Sequence, residues 1–204
     1  MENKNAPVGL AMSRGQAGYL SGALRAYYVP SSNTKDLFIG DPVVKTGTAN
    51  AAEVSGFAAG MLPAVKRPDE ATTGESPTAA EDITGVIMGI LPLGPWCNPK
   101  YVAKGAEAIV FVQDDLSAKF TIQADGEVTA DMIGSNADVS FATAGNKTTG
   151  LSGATLKTAS AGTEAAKQLK IMGFVDYPTQ EFGKYSVLEV MINKSTEAHN
   201  TDGI

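Results

Sequence analysis

Short apolar runs separated by turn residues dominate the chain from residue 24 onwards. In the run 119–123, Phe120 and Ile122 share one face, and Lys119, Thr121 and Gln123 share the other, as the period of a strand requires. The most apolar run, 83–90, is interrupted by Gly85 and Gly89 and is too short for an isolated helix, so it predicts a buried strand. Other strand-length runs, bounded by turn residues, occupy residues 24–29, 37–40, 43–47, 53–57, 63–67, 101–104, 108–112, 137–143, 168–176 and 185–193.

These runs predict an all-β fold. No amphipathic helical segment of ordinary length lies between them, so we expect an antiparallel β-barrel or sandwich, jelly-roll-like, with little helix. Residues 129–133 predict one helical turn that ends at Gly134. The polar stretch 145–163 predicts a long loop or a hairpin.

The first 23 residues show no sustained helical or strand period, which indicates an extended N-terminal arm (1–23) ahead of a single β domain (24–204). The chain has four basic residues and one acidic residue up to Lys35, although the net charge of the whole chain is −6. A basic arm with apolar side chains suits the surface of a partner. A disordered terminus is the alternative.

Two irregular segments interrupt the strands. Residues 68–82 contain five acidic residues and no basic ones, which predicts an exposed, flexible and solvated loop. Residues 91–99 contain three prolines and a glycine, so no regular element is expected there. The apolar residues of this second loop either cap the core or project into a partner pocket.

Candidate catalytic chemistry is sparse. The 204 residues include one cysteine, Cys97, and one histidine, His199, which excludes histidine-rich metal sites and makes Ser-His or Cys-His catalysis improbable. Asp114 and Asp115 are adjacent, and we interpret them as turn residues that cap backbone N–H groups. No phosphate-binding glycine motif is present. We therefore expect no catalytic residues, no cofactor and no small-molecule substrate.

A metal site is also not expected. The acidic set Asp125, Glu127 and Asp131 lacks the ligand order of an EF-hand, and calcium there is a minor alternative.

Charge and hydropathy narrow the class of partner. The net charge of −6 argues against general nucleic-acid binding. No apolar stretch has the length of a membrane span, and the first residues lack the pattern of a secretory signal. We expect a soluble protein made in a reducing cytoplasm, without a membrane partner.

Two stretches have more specific features. Residues 27–47 contain the sequence YYVPSSNTKDLFIGDPV, and residues 110–126 contain VFVQDDLSAKFTIQADG. IGSNADV (133–139) and a final strand ending MIN (191–193) follow. In this order they resemble the capsid decoration (cement) proteins of tailed bacteriophages. Leu116 stands where that family's pattern has proline, and the acidic segment 68–82 is longer than is typical of it.

The resemblance implies a non-enzymatic structural protein, made in the cytoplasm of a bacterial host and placed on the outer capsid surface of the virion. Its partners would be the major capsid protein and further copies of itself, as a homodimer or homotrimer. We expect the arm to meet acidic shell surface and to anchor in grooves, and the proline-rich loop to form oligomer contacts. The candidate interface residues are Val8, Leu10, Met12, Arg14, Tyr19, Arg25, Leu91, Leu93 and Trp96.

Other functions remain open at this point. A tail-tube subunit is compatible with a compact β fold. A glycan- or receptor-binding tail component would need an exposed aromatic platform with convergent polar groups. A hydrolase is the weakest alternative, because histidine and paired acids are scarce.

Overall fold

The computed structural model describes residues 3–13, 24–68, 81–92, 99–175 and 180–198. These residues form thirteen strands and one 3-10 turn, Ala130–Met132. The strands are β1 (Ala11–Met12), β2 (Arg25–Val29), β3 (Leu37–Phe38), β4 (Pro42–Ala49), β5 (Pro63–Lys66), β6 (Gly85–Ile90), β7 (Tyr101–Val102), β8 (Ala108–Gln113), β9 (Lys119–Gln123), β10 (Asn136–Ser140), β11 (Thr155–Gly162), β12 (Leu169–Phe174) and β13 (Val187–Ile192).

Five strands close into a barrel in the order β2-β5-β4-β6-β8. All neighbouring pairs are antiparallel except β2 and β5, which run parallel with Tyr28 opposite Ala64. Closure leaves no free edge in this sheet. Tyr27, Val43 and Val65 belong to the buried cluster that fills the barrel.

A second sheet has six antiparallel strands in the order β1-β9-β13-β12-β10-β11. A bridge between Ala124 and Leu156 links the end of β9 to β11, so this sheet curls around its own core. Phe120, Ile171 and Leu188 are fully buried there. Strands β3 and β7 pair separately.

Strand β6 contributes to both cores. Val86 and Met88 pack against the core of the six-stranded sheet, and Ile87 and Ile90 pack inside the barrel. An irregularity in the β6–β8 register between Ile87 and Gly89 lets the last residue of the strand return to the barrel interior. Burial on both faces explains why this run has no polar alternation, and it confirms the predicted buried strand.

Two further contacts join the barrel to the six-stranded sheet. The Ile83 N–H donates to the Lys194 carbonyl at 3.0 Å, and the Thr196 N–H donates to the Ile83 carbonyl at 3.2 Å. On another side, the N–H of Ser152 donates to the Ile39 carbonyl at 2.9 Å. The two cores are thereby tied together by backbone as well as by side chains.

The all-β prediction is confirmed, and the structure adds that the strands divide between a closed barrel and a curled sheet. The predicted helical turn is present, and Gly134 after it has a positive φ of 87°. The predicted strand at 53–57 is instead a tight turn, in which Val54 and Phe57 exchange both backbone hydrogen bonds around Ser55 and Gly56.

Candidate functional site

The N-terminal segment 3–13 lies against the six-stranded sheet. Leu10 is 1% exposed and belongs to the core of that sheet, and Met12 pairs with Phe120 across β1 and β9. The prediction that Leu10 anchors in a partner groove is therefore corrected, because its side chain is already enclosed by its own chain. Met12 is half-buried, and Val8 remains 43% exposed.

Hydrogen bonds fasten this segment along its length. The Asn3 side-chain amide donates to the carbonyls of Glu181 and Lys184 at 2.7 and 2.9 Å. Gln123 accepts from the Ala6 N–H at 3.0 Å and donates to the Lys4 carbonyl at 2.8 Å. Gln123 was expected on the polar face of β9. The structure shows that this polar position is buried and used to hold the N-terminal segment.

Among the predicted interface residues that the structure describes, Arg25 is the most exposed. Its side chain is 67% exposed, and its guanidinium lies 3.4 Å from the Asp114 carboxylate. The Tyr27 hydroxyl donates to the same carboxylate at 2.8 Å. Burial is the largest cause that raises the pKa of Tyr27, and this hydrogen bond raises it further. Asp115 caps the Ser117 N–H at 2.8 Å, and this bond lowers its pKa, so the turn interpretation is confirmed for Asp115.

Leu91 is half-buried and packs beside Tyr28, Leu62 and Ile109 at the outside of the barrel. It therefore caps a small apolar cluster. The predicted residues Arg14, Tyr19, Leu93 and Trp96 lie outside the described residues, as does most of the acidic segment 68–82.

Ion pairs fix the C-terminal end of that acidic segment. Glu81 pairs with Lys66 at 2.9 Å, and Asp82 pairs with Lys194 at 2.6 Å. Glu81 and Asp82 thus form ion pairs within the chain.

Asp41 occupies a buried junction between the barrel and the N-terminal segment. The chain turns just before β4, since the Asp41 N–H donates to the Phe38 carbonyl at 3.1 Å and Gly40 has a φ of +92°. The carboxylate is 2% exposed and accepts from the Phe38 N–H at 2.8 Å and from the Ser152 hydroxyl. Burial raises the pKa of Asp41 to about 6 against these bonds. Asp41 thus joins these segments through a buried carboxyl group whose pKa is raised.

A cationic cleft lies where loops of the barrel meet the connection between β10 and β11. It has a volume of about 410 Å³. Four cationic side chains and one carboxylate line it, together with two phenylalanines. Sequence reasoning did not find this cleft, because its residues come from four separate segments. They include Lys35, Asp36, Phe38, Arg67, Lys104, Phe141 and Lys147.

A second pocket, of about 390 Å³, lies beside a stacked aromatic pair of which Phe182 is the exposed member and Phe174 is half-buried. Phe182 is 49% exposed and stacks on Phe174 with ring centroids 4.3 Å apart. Glu127, Asn3 and Tyr185 also line the pocket. An exposed ring beside polar groups is the arrangement that sugar binding uses.

The structure does not assemble the weak calcium candidates. Asp125 accepts from the Thr158 N–H and hydroxyl, both at 2.9 Å, and Glu127 lines the aromatic pocket. Among the described residues no group of three His, Cys, Asp or Glu side chains could hold a metal ion. None of the helical structure in the described ranges is long and apolar enough to cross a membrane.

Comparison of the chain with protein-family models, with curated proteins and with solved structures found no match.

Proposed function

We propose that the chain is a structural protein of a tailed-bacteriophage virion, namely a decoration protein that binds the outer capsid surface and stabilises the head by bridging capsomers. It acts by adhesion and without catalysis. The residues that define the resemblance support this proposal through the roles they have in the fold. Asp41 forms a buried junction, Phe120 fills the sheet core, and Gln123 fastens the N-terminal segment.

These roles support the proposal because the segments that resemble decoration proteins are used here for packing and hydrogen bonding. Two cores joined through β6 provide a stiff body for display of adhesive patches. A decoration protein meets many equivalent sites, so contacts with several shell subunits raise the effective concentration and modest patches are enough.

The experiment adds purified protein to heads that lack it and images them by electron microscopy. We expect ordered density at equivalent positions on the outer face of the shell, and heads that withstand a higher temperature. Bare heads at saturating protein concentration would overturn the proposal. Density along the tail would assign the chain to the tail tube.

Self-association as a dimer or trimer belongs to the same proposal. Sedimentation velocity of the purified chain measures it. Trp96→Ala is expected to shift the chain towards monomer, and an unchanged oligomer would remove the proline-rich loop from the interface.

One observation favours a second candidate function, binding of glycans by a tail component. The exposed Phe182 ring, stacked on Phe174 beside Glu127, meets the requirement for an aromatic platform with polar neighbours. Screening of soluble sugars tests it. Phe182→Ala should abolish any binding, whereas Met61→Ala, at a 63% exposed position away from this pocket, should not.

A further inference from the structure

The cationic cleft concentrates positive charge on an acidic chain. Asp36 is its one carboxylate, and this group is already engaged by the Lys147 ammonium at 2.8 Å and the Lys104 backbone N–H at 2.8 Å. The Lys147 bond is the main reason that the pKa of Asp36 lies below its usual value. Among the described residues, neither Lys35 nor the Lys104 side chain forms an ion pair. The cleft therefore keeps an excess of positive charge.

Aromatic rings hold two of the cations in place. The Arg67 guanidinium lies 4.6 Å from the centre of the Phe141 ring, and the Lys147 ammonium lies 5.3 Å from that of Tyr101. Tyr101 in turn stacks on Phe38 at 5.2 Å. A ring face attracts a cation without cancelling its charge, so these side chains are positioned before any ligand arrives.

The backbone of the β10–β11 connection passes close to the Phe38 ring in the cleft. A Cβ atom at Gly145 would lie 2.2 Å from the Phe38 ring, so only glycine allows the β10–β11 connection to pass over it. The ring and the loop therefore form one wall of the cleft.

We propose that this cleft binds an acidic polypeptide segment of the protein's partner, with Lys35 and Lys104 as the cations that meet its carboxylates. The inference rests on the proposed function, in which that partner is the capsid shell. The excess of cations selects carboxylates by charge complementarity. The aromatic wall accepts the apolar parts of a polypeptide. Nucleic acid is disfavoured, because phosphate backbones require longer arrays of cations and the net charge of −6 repels them.

The direct test uses an oligoglutamate peptide as the probe and does not need capsids. We expect the wild-type protein to bind it, with affinity that falls as salt rises. Lys35→Gln with Lys104→Gln should weaken binding by roughly tenfold, as two partly exposed charge contacts would. The matched control is Lys157→Gln with Lys170→Gln, which removes the same charge from exposed positions on β11 and β12 and should leave binding unchanged.

Three results would overturn the inference: no binding of oligoglutamate, equal binding by both double variants, or tighter binding of a single-stranded oligonucleotide than of oligoglutamate. Head binding separates this failure from that of the proposed function. If the wild type ignores heads, the decoration proposal fails. If the wild type and the cleft variant occupy heads equally while the control also binds, the decoration proposal stands and the role of the cleft fails.

Discussion

At the scale of single residues, Asp41 shows how a carboxyl group can be retained in a buried turn. Its oxygens accept bonds from the Phe38 N–H and the Ser152 hydroxyl, and these bonds hold the barrel, the turn and the loop before β11 together. The bonds favour the charged form, but burial outweighs them and leaves the pKa at about 6. The carboxyl therefore fixes the turn at the cost of a pH-dependent stability.

The Asp41→Asn variant should isolate that dependence. Because the folded pKa of about 6 lies above the ordinary value of 3.8, the folded protein binds this proton more tightly than the unfolded chain does. Stability from Asp41 is complete below about pH 4 and is lost as pH rises through about 6. The wild type should lose about 2 kcal/mol relative to Asp41→Asn between about pH 4 and pH 7. Urea denaturation of both proteins across this range measures the difference, and a constant difference would contradict the prediction.

Gly40 beside it allows a second prediction. Its φ is +92°, and an added Cβ would lie 2.6 Å from the Val8 carbonyl oxygen. Gly56 has a similar φ of +87° with open space around it. Gly56→Ala should therefore cost about 1–2 kcal/mol from backbone strain alone, and Gly40→Ala should cost more. Equal losses in chemical denaturation would show that the junction can move apart freely.

At the scale of elements, the N-terminal segment is part of the fold, with Leu10 buried and Val8 exposed. Leu10→Ala should lower the free energy of unfolding by about 2–5 kcal/mol, because it removes a fully buried side chain. Val8→Ala, at a 43% exposed position, should change stability by less than about 0.5 kcal/mol. Thermal or urea unfolding compares them. A small loss for Leu10→Ala would mean that the segment detaches from the sheet at little cost.

Much of the strand content could be predicted from sequence, because strands with large apolar side chains have a recognisable pattern of apolar residues. β9 alternates and is buried on the predicted face, and β6 is apolar on both faces because both are covered. The polar stretch 145–163 was predicted as a long loop or a hairpin without strand bounds, and the structure places β11 in its second half. Its sequence, TLKTASAG, has one large apolar residue, Leu156, and depends on pairing with β10.

The candidate sites were less accessible to sequence reasoning. The exposed basic residues of the cleft are far apart in the chain, and only the pairing of strands brings Lys35, Lys104 and Lys147 together. The prediction that Leu10 binds a partner groove was wrong because only the folded structure shows which surface covers its side chain. An apolar residue in a segment without periodicity has no local signal that tells a partner groove from the core of its own sheet.

At the scale of the whole molecule, the shared strand β6 and the contacts of residues 194–197 make the two cores interdependent. Thr84 and Thr196 are joined by a hydroxyl hydrogen bond of 2.9 Å, and Lys45 pairs with Glu197. Loss of one core would leave Ile83 and Val86 exposed on the other. The two halves should therefore unfold together.

We expect one unfolding transition, in which the intrinsic fluorescence of the aromatic side chains changes together with the far-ultraviolet circular dichroism of both sheets. The calorimetric enthalpy should equal the van't Hoff enthalpy. Two separated transitions would show that the barrel survives without its neighbour, which the packing of β6 argues against.

The position of β1 has a consequence for synthesis on the ribosome. Its first residue pairs with Thr121, 110 positions later, whereas all five barrel strands are translated before β9. A nascent chain can close the barrel while the strip formed by Ile83 and Val86 waits uncovered for the strands that follow. β1 is translated before the barrel strands, but it can pair with β9 only after all five of them have been made.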